Sequence, residues 1–341
     1  MPKRTPSKRT PSRRTLAAFV LAALLPLLGV TAAHAEPPPP AVARLDHTEH
    51  ITDRRTALFV HSPSMDRVVQ VQVLHPSGQG QGQGPRPTLY LLDGVSAGAE
   101  SDFRESTWTQ KTDIVDFFAD KNVNVVLPVG GTASYYTDWR NPDPVLGTNR
   151  WETFLTRELP PIIDAEFAGN GVDAIGGLSM GATGAMALIT RHPDLYEGVA
   201  ALSGCLDTSR DSTRDSVRGT VAYKGGNPDN MWGPPGDPAW REHDPYENAE
   251  ALRGKDVFIS TGNGLLGPYD LEAGQDALTV GVPLEVGAFA CTISFDRRLR
   301  ELRIPATVEY RPWGTHSWRY WQDDLRSAWP TLARALGLSA R

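Results

Sequence analysis

Cysteine is scarce: Cys205 and Cys291 are the only two in a chain of 341 residues. That excludes a disulfide-dense scaffold and any four-cysteine metal centre. The eight histidines form no HExxH pattern and no cluster at metal-ligand spacing, so neither a metal ion nor another cofactor is expected. There is no internal repeat and no composition break that would mark a second folded domain. Acidic residues are missing from the first 35 positions, and that absence is informative.

Those positions hold Lys3, Arg4, Lys8, Arg9, Arg13 and Arg14, then an apolar run over 16–30, then Ala33-His34-Ala35. A basic start, a short apolar stretch and an A-x-A site describe a secretory signal peptide at 1–35. An uncleaved N-terminal anchor is the alternative, although Pro26 breaks the run and leaves it marginal for crossing a bilayer. Arg13-Arg14 is compatible with twin-arginine export as well as the general secretory route. Loss of the leader leaves 28 basic against 40 acidic residues, a net charge near −12. Such a surface repels nucleic acid and anionic bilayers, so nucleic acid is not an expected partner. In an exported chain, two cysteines imply one disulfide, with two buried thiols as the alternative.

The prolines at 37–40 open a proline-rich tether over 36–49, followed by a catalytic domain over 50–341. Residues 56–60 and 68–74 are β-branched and partly alternating, as in antiparallel strands, and the Gly/Gln stretch 78–84 joins the next strand as a flexible loop. Short apolar runs follow at 87–92, 123–128, 172–176, 199–202, 256–260 and 306–310. Helical patterns separate them at 112–119, 151–167, 181–192, 284–302 and 318–336. Strands alternating with helices give an α/β fold: a mostly parallel central sheet with helices on both faces. Residues 207–248 are rich in Gly, Pro, Asp and Trp and are expected to run over the C-terminal edge of the sheet, where ligands bind.

Gly177-Leu178-Ser179-Met180-Gly181 matches G-x-S-x-G between an expected strand and an expected helix. The α/β-hydrolase fold presents a nucleophilic serine on such a turn, where glycines avoid side-chain clashes and the helix start favours negative charge. A serine hydroxyl needs a base, and in this fold the histidine comes last in the chain. His316 follows the last expected strand on a short loop before the final helix. The acid that fixes the imidazole lies between them, and Asp270, Glu272, Asp276 and Glu285 all qualify. The oxyanion donors are expected at the backbone N–H of Met180, just after the serine, and of Val95, after the strand ending Leu91-Leu92-Asp93-Gly94.

Several segments are more specific than G-x-S-x-G. They include Ser62-Pro63-Ser64-Met65, Leu127-Pro128-Val129-Gly130-Gly131, Tyr135-Tyr136-Thr137-Asp138-Trp139, Asn230-Met231-Trp232-Gly233-Pro234 and Gly314-Thr315-His316-Ser317-Trp318. On these the chain resembles the antigen 85 mycolyltransferases and their esterase-like relatives, from about residue 61 to the end. The resemblance implies that Glu285 is the acid. It also implies transfer of a long-chain acyl group through the serine to a sugar hydroxyl such as trehalose, with water as competing acceptor. Asp93 and Trp318 fall where the family contacts the sugar. Ser96 stands where the family has an arginine, and Lys111 where it has an asparagine.

The expectation is therefore an exported serine acyltransferase at the cell envelope, in the Ser179–His316–Glu285 arrangement. Its partners would be an acyl-ester donor, a sugar or other hydroxyl acceptor, and a cell-envelope lipid surface. A secreted carboxylesterase is the alternative, and a non-catalytic wall-binding protein is a third. Cys205 follows the strand at 199–202, and Cys291 sits one and a half turns after Glu285. A bridge between them would tie the acid's helix to the strand end beside the nucleophile.

Overall fold

A computed structural model of the chain describes residues 42–76, 84–271, 275 and 277–339. The expected signal peptide, most of the Gly/Gln loop, Glu272 and Asp276 lie outside the described residues.

The sheet has nine strands: β1 (Arg44–Thr52), β2 (Arg55–Ser62), β3 (Arg67–Leu74), β4 (Arg86–Leu92), β5 (Asn124–Pro128), β6 (Gly169–Leu178), β7 (Tyr196–Leu202), β8 (Asp256–Thr261) and β9 (Thr307–Tyr310). Their order is β1-β2-β3-β5-β4-β6-β7-β8-β9. The pairs from β1 to β5 through β3 are antiparallel, and those from β5 through β4 to β9 are parallel. This is the mixed, mainly parallel sheet expected of the α/β fold. Side chains alternate between the two faces of each strand. Leu89 and Leu91 pack in the core cluster that holds Trp321, Leu325, Trp329 and Leu332, while Tyr90 and Leu92 pack in the cluster with Ala182, Ala185, Met186 and Ile189.

The helices that accompany the sheet include α1 (Thr107–Lys111), α2 (Pro160–Phe167), α3 (Met180–Arg191), α4 (Asp211–Tyr223), α5 (Val282–Leu302) and α6 (Trp318–Ala335). Helices α3 and α6 cover opposite faces of β6 and β7. α3 is almost wholly buried, which explains its small residues Gly181, Ala182, Gly184, Ala185 and Ala187: bulk there would push the helix off the sheet.

Three expectations need correction. The tether drawn to residue 49 overlaps β1, which pairs with β2 from Arg44. β1 is mostly exposed and polar at the sheet edge, so backbone pairing makes it a strand, and it carries no apolar alternation to read. The helix expected at 112–119 is only the four-residue Ile114–Phe117, and α1 precedes it, the two separated at Thr112 and Asp113. Ser106 starts α1 by accepting from the Trp108 N–H at 3.3 Å. The stretch 207–248 contains α4, a 13-residue helix that buries only Val217 and Val221 and so shows little hydrophobic periodicity.

Candidate active site

The strand β6 ends at Leu178 and α3 begins at Met180, so Ser179 alone makes the turn. Its φ is 53°, in the left-handed region that costs a residue with a Cβ of order 1–3 kcal/mol. The flanking glycines follow from close backbone approach. A Cβ on Gly177 would lie 2.5 Å from the Gly181 carbonyl oxygen, and one on Gly181 2.4 Å from that of Asp93. The Ser179 N–H donates to the Leu202 carbonyl at 2.8 Å, tying the turn to β7.

His316 lies on the loop between β9 and α6, 137 residues further on. Its Nε2 is 2.8 Å from Ser179 Oγ, and its Nδ1 is 2.8 Å from Glu285 Oε2. An ionised carboxylate only accepts, so Nδ1 carries the hydrogen and Nε2 faces the serine hydroxyl with its lone pair. The Trp321 ring meets the imidazole edge-on at 4.8 Å between centroids, and the His316 N–H donates to the Gly281 carbonyl at 3.1 Å.

Glu285 is in the first turn of α5 and is fully buried. Its other oxygen, Oε1, accepts from Ser203 Oγ at 2.8 Å, Arg311 Nη2 at 3.1 Å, Thr261 Oγ1 at 3.3 Å and the Gly262 N–H. Asp270 turns elsewhere: it accepts from Thr315 Oγ1, from Tyr320 at 2.7 Å and from the Gly267 N–H at 2.8 Å. It braces the loop that carries His316 and makes no hydrogen bond to the imidazole. Cys205 and Cys291 form a disulfide with their Cα atoms 5.0 Å apart, joining the segment after β7 to α5.

The N–H groups of Val95 and Met180 donate to no protein acceptor among the described residues. A Cβ on Gly94 would lie 3.8 Å from Ser179 Cβ, which puts the end of β4 beside the serine.

Two cavities meet at Ser179, His316 and Leu284. The larger, about 370 Å³, runs between α4 and α5. Val217, Leu284, Ala288 and Met180 line it together with the hydroxyls of Thr213, Ser216 and Thr220. The smaller, about 110 Å³, is bounded by Val95, Ser96, Glu100, Trp318 and Trp321. Ser96 and Trp318 are therefore among the residues lining a cavity that reaches Ser179. Asp93 is not: its carboxylate is fully buried, with Oδ2 accepting from Ser106 Oγ at 3.1 Å and the Thr107 N–H at 3.0 Å. Burial pushes this carboxyl up to about 7, against the pull of those hydrogen bonds. Asp93 therefore fastens the loop 96–107 rather than facing an acceptor. Lys111 is also diverted, because the same loop supplies Glu100, whose carboxylate is 2.9 Å from the Lys111 ammonium. Glu100 lines the smaller cavity and Lys111 does not.

Sequence reading missed Ser203, Arg311, Glu100 and the hydroxyl stripe of α4. Ser203 has φ 50°, a backbone state rare for serine that no motif announces. No group of three or more His, Cys, Asp or Glu that could hold a metal ion occurs among the described residues. A serine hydroxyl hydrogen-bonded to an imidazole, which a buried carboxylate holds in turn, at a helix N-terminus, is the arrangement that permits nucleophilic acyl transfer.

Comparison with known proteins agrees with that chemistry. The sequence family described as "Putative esterase" matches residues 62–332. The diacylglycerol acyltransferase/mycolyltransferase Ag85A of Mycobacterium tuberculosis is 36% identical over 288 residues, covering 82% of this chain and 81% of that protein. Ag85B of Mycolicibacterium smegmatis is 35% identical over 297 residues, covering 82% and 85%. The crystal structure of Mycobacterium tuberculosis MPT51 superposes with a TM-score of 0.68 at 27% identity, covering 82% of this chain and 97% of that one.

Proposed function

The chain belongs to the esterase family of the antigen 85 type, and from that premise we propose that it is an exported serine acyltransferase acting through an acyl-Ser179 intermediate. The observation that carries the reading is the placement of His316, 2.8 Å from both Ser179 Oγ and Glu285 Oε2.

Ser179 Oγ attacks the carbonyl carbon of an acyl ester and passes its proton to His316 Nε2. Glu285 keeps Nδ1 protonated and stabilises the imidazolium that forms. The oxyanion is received by the N–H groups of Met180 and Val95. Collapse expels the donor alcohol, which takes the proton from His316 and leaves the acyl group on Ser179. An acceptor hydroxyl then gives its proton to His316 and attacks the acyl carbon; His316 passes that proton to Ser179 Oγ as the acyl–serine bond breaks, restoring the serine hydroxyl and releasing a new ester.

The groove between α4 and α5 would hold the acyl chain of the mycolyl-like donor. The smaller cavity, with indole rings from Trp318 and Trp321 and the polar groups of Ser96 and Glu100, suits a sugar hydroxyl acceptor such as trehalose. Secretion to the cell envelope rests on the N-terminal 35 residues. The disulfide is compatible with it. One observation favours a carboxylesterase as second reading. Lys111 is held by Glu100, and Ser96 replaces an expected arginine, so the acceptor pocket offers no free cation from either position.

Incubation with a labelled acyl ester, with and without trehalose, tests the proposal. Acyl-trehalose is the expected product. Free acid alone in both reactions would support the carboxylesterase, and no turnover of either kind would contradict both.

A further inference from the structure

Resting on the reading of Ser179, His316 and Glu285 above, we propose that Arg311 is a positioning residue that holds Glu285 ionised and aimed at His316. Glu285 is fully buried, and an isolated buried carboxylate takes up a proton rather than keep its charge. Its ion-pair partners among the described residues are His316 and Arg311. His316 must be neutral to accept the serine proton. In the resting enzyme Arg311 is therefore the cation that keeps the carboxylate charged.

The guanidinium is fixed on several sides. Nη2 donates to Glu285 Oε1 at 3.1 Å, and Nε lies 3.0 Å from Asp324 Oδ1 without hydrogen-bond alignment. The group stacks over the Tyr320 ring at 4.7 Å, and the Arg311 backbone N–H donates to the Thr261 carbonyl at 2.9 Å. A Cβ on Gly314 would lie 2.4 Å from Arg311 Nη1, so the glycine two residues before His316 makes room for the guanidinium. The groups facing this pair are Asp324 and Tyr320 from α6, Glu309 from β9, and Asp270, which acts through Tyr320. Burial pushes Asp324 up to about 7, with Arg311 opposing and Glu285 and Glu309 adding to the rise.

The consequence is a shift in the pH profile. A general base works only once it has lost its proton, and that loss opens the acid limb. Removing the cation behind Glu285 makes His316 hold the proton more tightly. The Asp324 carboxyl is largely protonated below about 7 and so leaves the acid limb almost unaffected.

The test is the rate at which a fluorophosphonate labels Ser179, followed across the pH range in Arg311→Met, Arg311→Lys and Asp324→Asn. This rate needs the imidazole base but no acceptor. The acid limb should move up by about one pH unit or more in Arg311→Met, a tenfold change in proton affinity. It should stay near wild type in Arg311→Lys and in Asp324→Asn, whose carboxyl is already largely protonated below about 7. A limb unmoved in Arg311→Met, or shifted as far in Arg311→Lys or in Asp324→Asn, overturns the proposal. If Arg311→Met does not fold, Arg311→Gln is measured in its place by the same criteria. Wild-type protein that is not labelled at Ser179 would instead overturn the underlying reading of the triad.

Discussion

Ser203 donates its hydroxyl hydrogen to Glu285 Oε1 at 2.8 Å and accepts from the Trp321 indole N–H at 3.0 Å. One small side chain thereby links the end of β7, the first turn of α5 and the first turn of α6. The carboxylate beside His316 is thus oriented by the fold as well as by its own helix. A partner placed this rigidly should tolerate little chemical change.

Glu285→Gln should fold and lose at least two orders of magnitude in kcat, with a much smaller effect on KM. An amide can present its NH₂ to Nδ1 and favour the wrong tautomer of His316. Asp270→Asn should cost less, because Asp270 acts on Thr315 and Tyr320 and not on the imidazole. Steady-state kinetics on a soluble ester, with a thermal melt of each variant, checks both. Near wild-type activity in Glu285→Gln, with a dead Asp270→Asn, would reverse the assignment.

How much of the site is legible in the sequence depends on where each signal lies. Ser179 and His316 are readable because a strand–turn–helix context surrounds one and chain order selects the other. Glu285 is not readable from its own surroundings. Four acids share the right interval, and only the family resemblance separates them. β4 to β8 are visible as largely apolar runs because most of their residues are buried on both faces, whereas β9 is short and no more than half-buried. β1 and α4 are hidden for the opposite reason, since each lies at the surface with mostly polar residues. Asp93 misleads because a match to a family position says nothing about which way a carboxylate turns. The loop after it supplies Ser106 and Thr107 and folds the group inside.

The disulfide should contribute to stability through the 86-residue separation it closes. In the chain-entropy account that is roughly 4 to 5 kcal/mol as an upper figure. The double variant Cys205→Ala/Cys291→Ala should melt at a distinctly lower temperature. Since the bridge ties α5 to the segment after β7, the variant should also lose activity before it unfolds. Identical melting of the variant and the oxidised wild type would show that the bridge contributes nothing.

Asp173, on β6, predicts how stability depends on pH. It is 5% exposed, and one of its oxygens has no hydrogen-bond partner among the described residues. Burial, with Asp164 adding to the effect, pushes its carboxyl from 3.8 up to about 7. Below 3.8 both folded and unfolded chains hold the proton, so the contribution of this group to stability is fully present. Between 3.8 and about 7 only the folded chain holds it, so that contribution is lost as pH rises. Asp173→Asn has no proton to lose. Its melting temperature should match wild type near pH 4 and exceed it near pH 8, by up to about 4 kcal/mol of stability. A variant that gains as much near pH 4 as near pH 8 would contradict this.

Trp318 and Glu100 bound the cavity proposed for the acceptor. Trp318→Ala and Glu100→Gln should raise the KM for a sugar acceptor several-fold while changing the rate of fluorophosphonate labelling by less than about twofold. If the labelling rate falls in parallel with transfer, these residues serve the nucleophile and the acceptor lies elsewhere.

The most direct measurement is peptide mapping by mass spectrometry after the protein is quenched during turnover of an acyl ester. An acyl adduct is expected on the peptide that contains Ser179, absent from Ser179→Ala and much reduced in His316→Ala. An adduct on any other residue, or continued turnover in Ser179→Ala, would contradict it.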